Sequence, residues 1–292
     1  MPHAIADGVR LYYEEEGMGI PLVFVHEFSG DYRSWELEVR FFSRRYRCIR
    51  YNARGYPPSD VPSNLAAYSQ ARAADDIRAV LDHLQLENAH VIGLSMGGFA
   101  TLHFGLKYPQ RARSLVIGSC GYGASTADRS AWEEGVEHLA QRYEQEGAAG
   151  IASTQSQDPY RIQLQNKDAI GWQQYVQQLS EHDSLGATMT LRGVQKTRPS
   201  LFELESDLRQ LAVPTLIVVG DEDEPCVEPG VWLKRTIGPA ALAVFPKTGH
   251  TVNLEEPALF HRTLLDFFTW VDSGRWETRD PRSLQPDELN AR

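Results

Sequence analysis

The stretch Ala89-His90-Val91-Ile92-Gly93-Leu94-Ser95-Met96-Gly97-Gly98 decides how this chain is read. A strand-like apolar run enters Gly-x-Ser-x-Gly. A helical stripe of Phe99, Leu102 and Leu106 leaves it. Such a turn puts the serine at the tip of a tight strand-to-helix elbow with its hydroxyl exposed. Glycine on either side leaves room for backbone that any side chain would obstruct. The helix aims its first N–H groups at whatever reacts with Ser95, so negative charge developing there is stabilised. Ser95 is therefore a candidate nucleophile.

On both sides of this elbow, strands alternate with helices. Val9–Glu16, Leu22–Val25, Cys48–Tyr51 and Leu115–Ile117 have strand character. Ile77, Val80, Leu81 and Leu84 fall at i, i+3, i+4, i+7 and predict a helix. The alternation predicts an α/β fold, with a mostly parallel sheet covered by helices on both faces. It stops over residues 124–206, where three helical stripes follow one another: Trp132 to Tyr143, Trp172 to Leu179, and Leu185 to Val194. It resumes with Thr215–Val219, a helix near Val231–Ile237, a strand at Leu242–Phe245, and a last helix bearing Phe260, Leu264, Phe267, Phe268 and Val271. The expected organisation is a core formed by 1–123 and 207–273, a helical insertion at 124–206, and a polar surface tail at 274–292.

Composition removes several functions. The 292 residues carry a formal charge of −10. No basic stripe is available to displace counterions from nucleic acid. The apolar runs are strand-sized and too short for a bilayer. The N-terminus has no basic region followed by an apolar stretch, so a cytoplasmic protein is expected. The three cysteines, Cys48, Cys120 and Cys226, form neither a disulfide framework nor a zinc pattern. They are read as reduced thiols. The acidic run Asp221–Glu224 lacks further ligands for a metal, and Gly97-Gly98 is not followed by the Lys-Ser/Thr of a phosphate loop.

A serine hydroxyl needs a base, and the base needs an orienting acid. His250, in Thr248-Gly249-His250, follows one strand. The acidic loop Gly220-Asp221-Glu222-Asp223 follows another. Loops at the carboxyl ends of parallel strands share one edge, so Ser95, this loop and His250 can converge. The chain order is Ser, Asp, His. Met96 N–H, directly after the nucleophile, is expected to bind an oxyanion. His26, His90, His103 and His261 are read as structural.

Five segments, in this order, resemble the α/β-hydrolase fold superfamily over nearly the whole chain. They are His26-Glu27-Phe28-Ser29-Gly30, Tyr51-Asn52-Ala53-Arg54-Gly55-Tyr56, the elbow Gly93–Gly98, the acid loop Gly220–Asp223, and Gly249-His250. The resemblance implies the α/β-hydrolase fold, with 124–206 as a helical cap that forms much of the substrate pocket. A G-x-x-D pattern in relatives points to Asp223 as the acid, with Asp221 as fallback. Phe28 N–H is implied as the second oxyanion donor. The chain departs from the family at Glu27, where relatives carry glycine. A carboxylate there opposes an oxyanion unless it points outward or is paired, and Arg54 is the expected partner.

The functional expectation is a serine hydrolase for a small or medium carboxylic ester, needing no cofactor and no metal. Lactone opening or carbon–carbon bond hydrolysis on the same triad is the nearest alternative, and a non-catalytic ligand receptor on this fold is the alternative of another class. The expected partner is a small-molecule ester, with neither nucleic acid nor membrane. A homo-oligomer is compatible with the sequence. Met189, Arg192 and Trp132 are candidate pocket residues.

Overall fold

A computed structural model describes residues 1–125, 127–155 and 158–284. Eight strands form one sheet: β1 His3–Ala6, β2 Val9–Glu16, β3 Pro21–Val25, β4 Arg47–Tyr51, β5 Ala89–Leu94, β6 Ala112–Gly118, β7 Thr215–Gly220 and β8 Ala240–Phe245. Their spatial order is β1-β2-β4-β3-β5-β6-β7-β8. The β1–β2 and β2–β4 pairs are antiparallel, and all others are parallel.

Both faces of the inner parallel strands β3, β5, β6 and β7 are buried, which is why they read as continuous apolar runs. Neighbours along a strand go to opposite sides. Val23, Ile49, Val91, Ile117 and Ile217 meet Ile77, Val80 and Leu81 of the helix Gln70–His83 and Phe99 and Leu102 of the helix Met96–Lys107. Leu22, Phe24, Ile92, Val116 and Val218 meet Phe42 of the helix Glu36–Phe42 and Phe260, Leu264 and Phe268 of the helix Pro257–Asp272. Ser69 starts the helix Gln70–His83 by accepting the Arg72 N–H at 3.1 Å.

Between β6 and β7 the described residues contain helices and no strand. The first, Arg129–Gln155, is kinked at Gly147, whose φ of 71° interrupts it. Ile162–Lys167, Ala169–Ser180 and Ser184–Thr190 follow, and a π-helical turn, Leu191–Gln195, continues the last. This insertion rests on the carboxyl edge of the sheet through Val136, Ala140, Tyr143, Ile151 and Leu191, which pack against Phe28, Tyr56 and Met96.

Two expectations are corrected. An additional N-terminal strand, β1, pairs with β2 across Asp7-Gly8, both at positive φ. The tail is not purely a surface appendage: Trp276 packs on Phe267 and donates its indole N–H to Pro239 O at 2.8 Å. Residues 285–292 of that tail lie outside the described residues. Among the described residues no helix is long and apolar enough to cross a membrane.

Candidate active site

Ser95 joins β5 to the helix Met96–Lys107 with φ 53° and ψ −115°, a backbone conformation that a residue with a side chain adopts only under constraint. The constraint is visible. A Cβ on Gly97 would stand 2.1 Å from Val25 O, and one on Gly93 would stand 2.1 Å from Gly97 O. Ser95 N–H is anchored to Gly118 O on the neighbouring strand at 2.8 Å. Met96 opens the helix, so its N–H has no intrahelical acceptor.

The ends of β7 and β8 bring the other two groups together. Asp223 is fully buried, and its Oδ2 accepts a hydrogen bond from His250 Nδ1 at 2.8 Å. Asp221, the fallback acid, is exposed and accepts the Thr248 N–H instead at 3.1 Å. The histidine loop is braced from two sides. His250 N–H donates to Tyr160 O of the insertion at 2.8 Å. The buried Glu255 carboxylate takes the N–H groups of Gly249 and Thr251 at 2.6 and 3.0 Å.

Burial alone would push the Asp223 carboxyl up. The charge and hydrogen bond of His250 outweigh it and hold the carboxyl below its ordinary range. Burial would likewise lower His250, but the Asp223 carboxylate outweighs it and raises the imidazole above its ordinary value. The pair is therefore arranged to stabilise an imidazolium. His250 Nε2 lies 3.9 Å from Glu27 Oε2 and is not hydrogen-bonded to the Ser95 hydroxyl in this arrangement. Contacts of that kind commonly tighten only when substrate is bound.

Ser95, His250, Glu27, Phe28, Tyr122, Trp132, Val136, Leu139, Asp158, Arg161, Leu191 and Gln195 line one cavity of about 250 Å³. Its walls come from the sheet edge and from the insertion. Of the three candidate pocket residues, Trp132 lines it. Met189 does not, and Arg192 is drawn away to the surface by Glu137 and Glu144.

The expectation for Glu27 is corrected. Its carboxylate is buried and neither faces outward nor meets Arg54. Arg54 is taken by Asp76, at 2.9 and 2.5 Å, and by Ala67 O. Glu27 is held instead by Arg161, at 3.1 and 2.7 Å. Burial would raise the Glu27 carboxyl, yet the Arg161 charge wins and keeps it ionised. His26 fills both ring nitrogens structurally: Nδ1 donates to Glu27 O at 2.7 Å and Nε2 accepts the Ala53 N–H at 3.1 Å. This shapes the loop that carries Phe28.

Known proteins share this arrangement of chain. The model of a family described as "alpha/beta hydrolase fold" matches residues 20–257. The chain belongs to that family. It is 27% identical over 272 residues, 91% of this chain and 97% of the relative, to the Bacillus subtilis protein named "Putative 2-succinyl-6-hydroxy-2,4-cyclohexadiene-1-carboxylate synthase". It is 25% identical over 240 residues, 82% of this chain and 85% of the relative, to 3-oxoadipate enol-lactonase 1 of Acinetobacter baylyi. Among solved structures it superposes on a thermophilic esterase from Thermogutta terrifontis with a TM-score of 0.80, at 24% identity, covering 92% of this chain and 97% of that one. That last likeness speaks for the fold.

Several residues of this alpha/beta hydrolase site carry no motif in the sequence. Arg161 and Asp158 come from the insertion, and Tyr122 from the loop after β6. The Tyr122 ring meets the His250 imidazole edge-on, with centroids 5.1 Å apart. The Tyr122 carbonyl is in turn held by the buried Arg198 guanidinium, which lies over the Phe99 ring at 3.7 Å. Cys226 sits beside the acid. Among the described residues, Asp223, Cys226 and His250 form a group whose potential ligand atoms lie within 4.8 Å of one another. Burial, then the Asp223 charge, pushes the Cys226 thiol well up, which keeps it protonated.

Proposed function

We propose that this alpha/beta hydrolase cleaves a small or medium carboxylic ester through an acyl-enzyme on Ser95. The observation that carries the reading is the buried Asp223–His250 hydrogen bond, set beside a serine on a constrained elbow in one cavity. Ser95 Oγ attacks the carbonyl carbon while His250 Nε2 takes its proton. Asp223 fixes the tautomer by accepting from Nδ1 and stabilises the imidazolium. The negative oxygen of the tetrahedral intermediate is received by the N–H groups of Met96 and Phe28. His250 then returns the proton to the leaving alcohol. Water, activated by the same imidazole, releases the acid and restores Ser95.

The insertion serves as the cap of this pocket. Trp132, Val136, Leu139 and Leu191 give it an apolar wall suited to a hydrocarbon portion of the substrate. A series of 4-nitrophenyl esters of increasing acyl length, run with Ser95→Ala as control, tests the reading. The reading expects turnover with a maximum at a short or medium chain, and its loss in the variant. Turnover that survives in Ser95→Ala contradicts it. A lactone turned over in preference to every acyclic ester in the series would assign the same triad to ring opening.

A further inference from the structure

Arg161 belongs to the turn Pro159–Arg161 of the insertion, and its side chain is only 7% exposed. It reaches the cavity that holds Ser95 and presents both terminal nitrogens to one carboxylate, that of Glu27. The Tyr175 ring lies 5.3 Å from the guanidinium carbon. Arg161 Nε is buried with no hydrogen-bond partner among the described residues. A planar guanidinium fork is the group best matched to a carboxylate in two-point contact. A buried cation of this kind demands an anion, because without one it is strongly destabilising. The anion here is supplied by the chain itself, from the position where the family resemblance implies a glycine with no side chain.

We infer that Arg161 forms a latent carboxylate-binding subsite kept filled by Glu27, so that Glu27 restricts the enzyme to esters whose acyl part bears no charge. The inference rests on the ester-hydrolase reading and names its substrate class. The charges lining the cavity agree with it. Glu27 and Asp158 contribute two carboxylates against the single guanidinium of Arg161. An incoming carboxylate would have to displace Glu27 from Arg161 and leave the buried Glu27 carboxylate unpaired. An uncharged acyl group meets no such obstacle.

The test compares 4-nitrophenyl butanoate with the mono-4-nitrophenyl ester of butanedioic acid, two substrates of the same acyl length differing by one carboxylate. The native enzyme is expected to prefer the uncharged ester at least tenfold in kcat/KM. Glu27→Gln keeps the size of the side chain and removes its charge. It should move that ratio at least tenfold toward the charged ester, and the double variant Glu27→Gln/Arg161→Leu should lose the gain. Calorimetric titration with butanoate reads the subsite without turnover: saturable binding to Glu27→Gln, absent from the double variant, is the expected result. An unchanged ratio and no butanoate binding in a Glu27→Gln protein that melts cooperatively would overturn the inference. So would a gain that persists without Arg161. If Glu27→Gln binds butanoate through Arg161 while the native protein hydrolyses no ester, the subsite stands and the ester-hydrolase reading alone fails.

Discussion

At the residue scale, the proposed mechanism requires His250 to be neutral so that it can accept the Ser95 proton. Asp223 raises the imidazole pKa against the opposing effect of burial. Activity is therefore expected to fall as the pH drops through that raised value. In Asp223→Asn the largest raising charge is gone, the smaller effect of Glu27 stays, and burial remains. The acid limb of kcat/KM should move to lower pH, while the plateau falls by about 10⁴-fold, because asparagine favours the wrong tautomer. A pH–rate profile of the two proteins measures both effects; a limb that stays in place would separate Asp223 from the titration of His250. Ser95 and His250 stand out as candidates because each lies in a short local pattern after an apolar run. Choosing between Asp221 and Asp223 was harder, since both lie in one loop. Side-chain burial distinguishes them: Asp223 is buried against His250, and Asp221 is exposed beside Thr248.

At the scale of elements, the elbow depends on the absence of atoms. A methyl group on Gly97 would overlap the carbonyls of Val25 and His26, at 2.1 and 2.6 Å, and both belong to backbone held in or beside β3. Gly97→Ala is expected to cost about 3 kcal/mol or more in urea unfolding, at the upper end of what overpacking does. Unchanged stability would mean that the helix start can shift without consequence. Period-2 and period-3.6 apolar patterns made most strands and helices readable. Strand β1 was missed, although Asp7-Gly8 between two short alternating segments is a hairpin signal. Four residues at a terminus give too little pattern to stand out. The first turns of Glu224–Thr236, with Pro225 and Pro229, also fell outside the expected helix. Pro225, at the start, is tolerated because the N–H it lacks has no intrahelical acceptor there, whereas Pro229 lies inside the helix and removes one i→i−4 hydrogen bond.

At the scale of the whole molecule, the site is made where the insertion meets the sheet edge. Arg161 and Glu27 are 134 positions apart. No local pattern links them, so the expected partner of Glu27 was Arg54, the cation on a neighbouring loop. Arg54 is occupied by Asp76 on the helix Gln70–His83, and only the packing of the insertion brings Arg161 within reach. This pair also ties the two parts of the structure together. Arg161→Leu strands an ionised, buried Glu27 and is expected to lose about 3–5 kcal/mol of stability. Adding Glu27→Gln removes the stranded charge and should recover a large part of that loss. Equal stability of the single and double variants in chemical denaturation would argue against a buried charge pair.

In the proposed mechanism the fold assembles Ser95 and His250 into one reactive unit. Incubating the native protein with a fluorophosphonate and locating the adduct by peptide mass spectrometry tests it most directly. Stoichiometric modification of Ser95, absent in Ser95→Ala and slowed at least a hundredfold in His250→Ala, is the expected result. A native, folded protein that stays unmodified at Ser95, or that reacts as fast without His250, would contradict it.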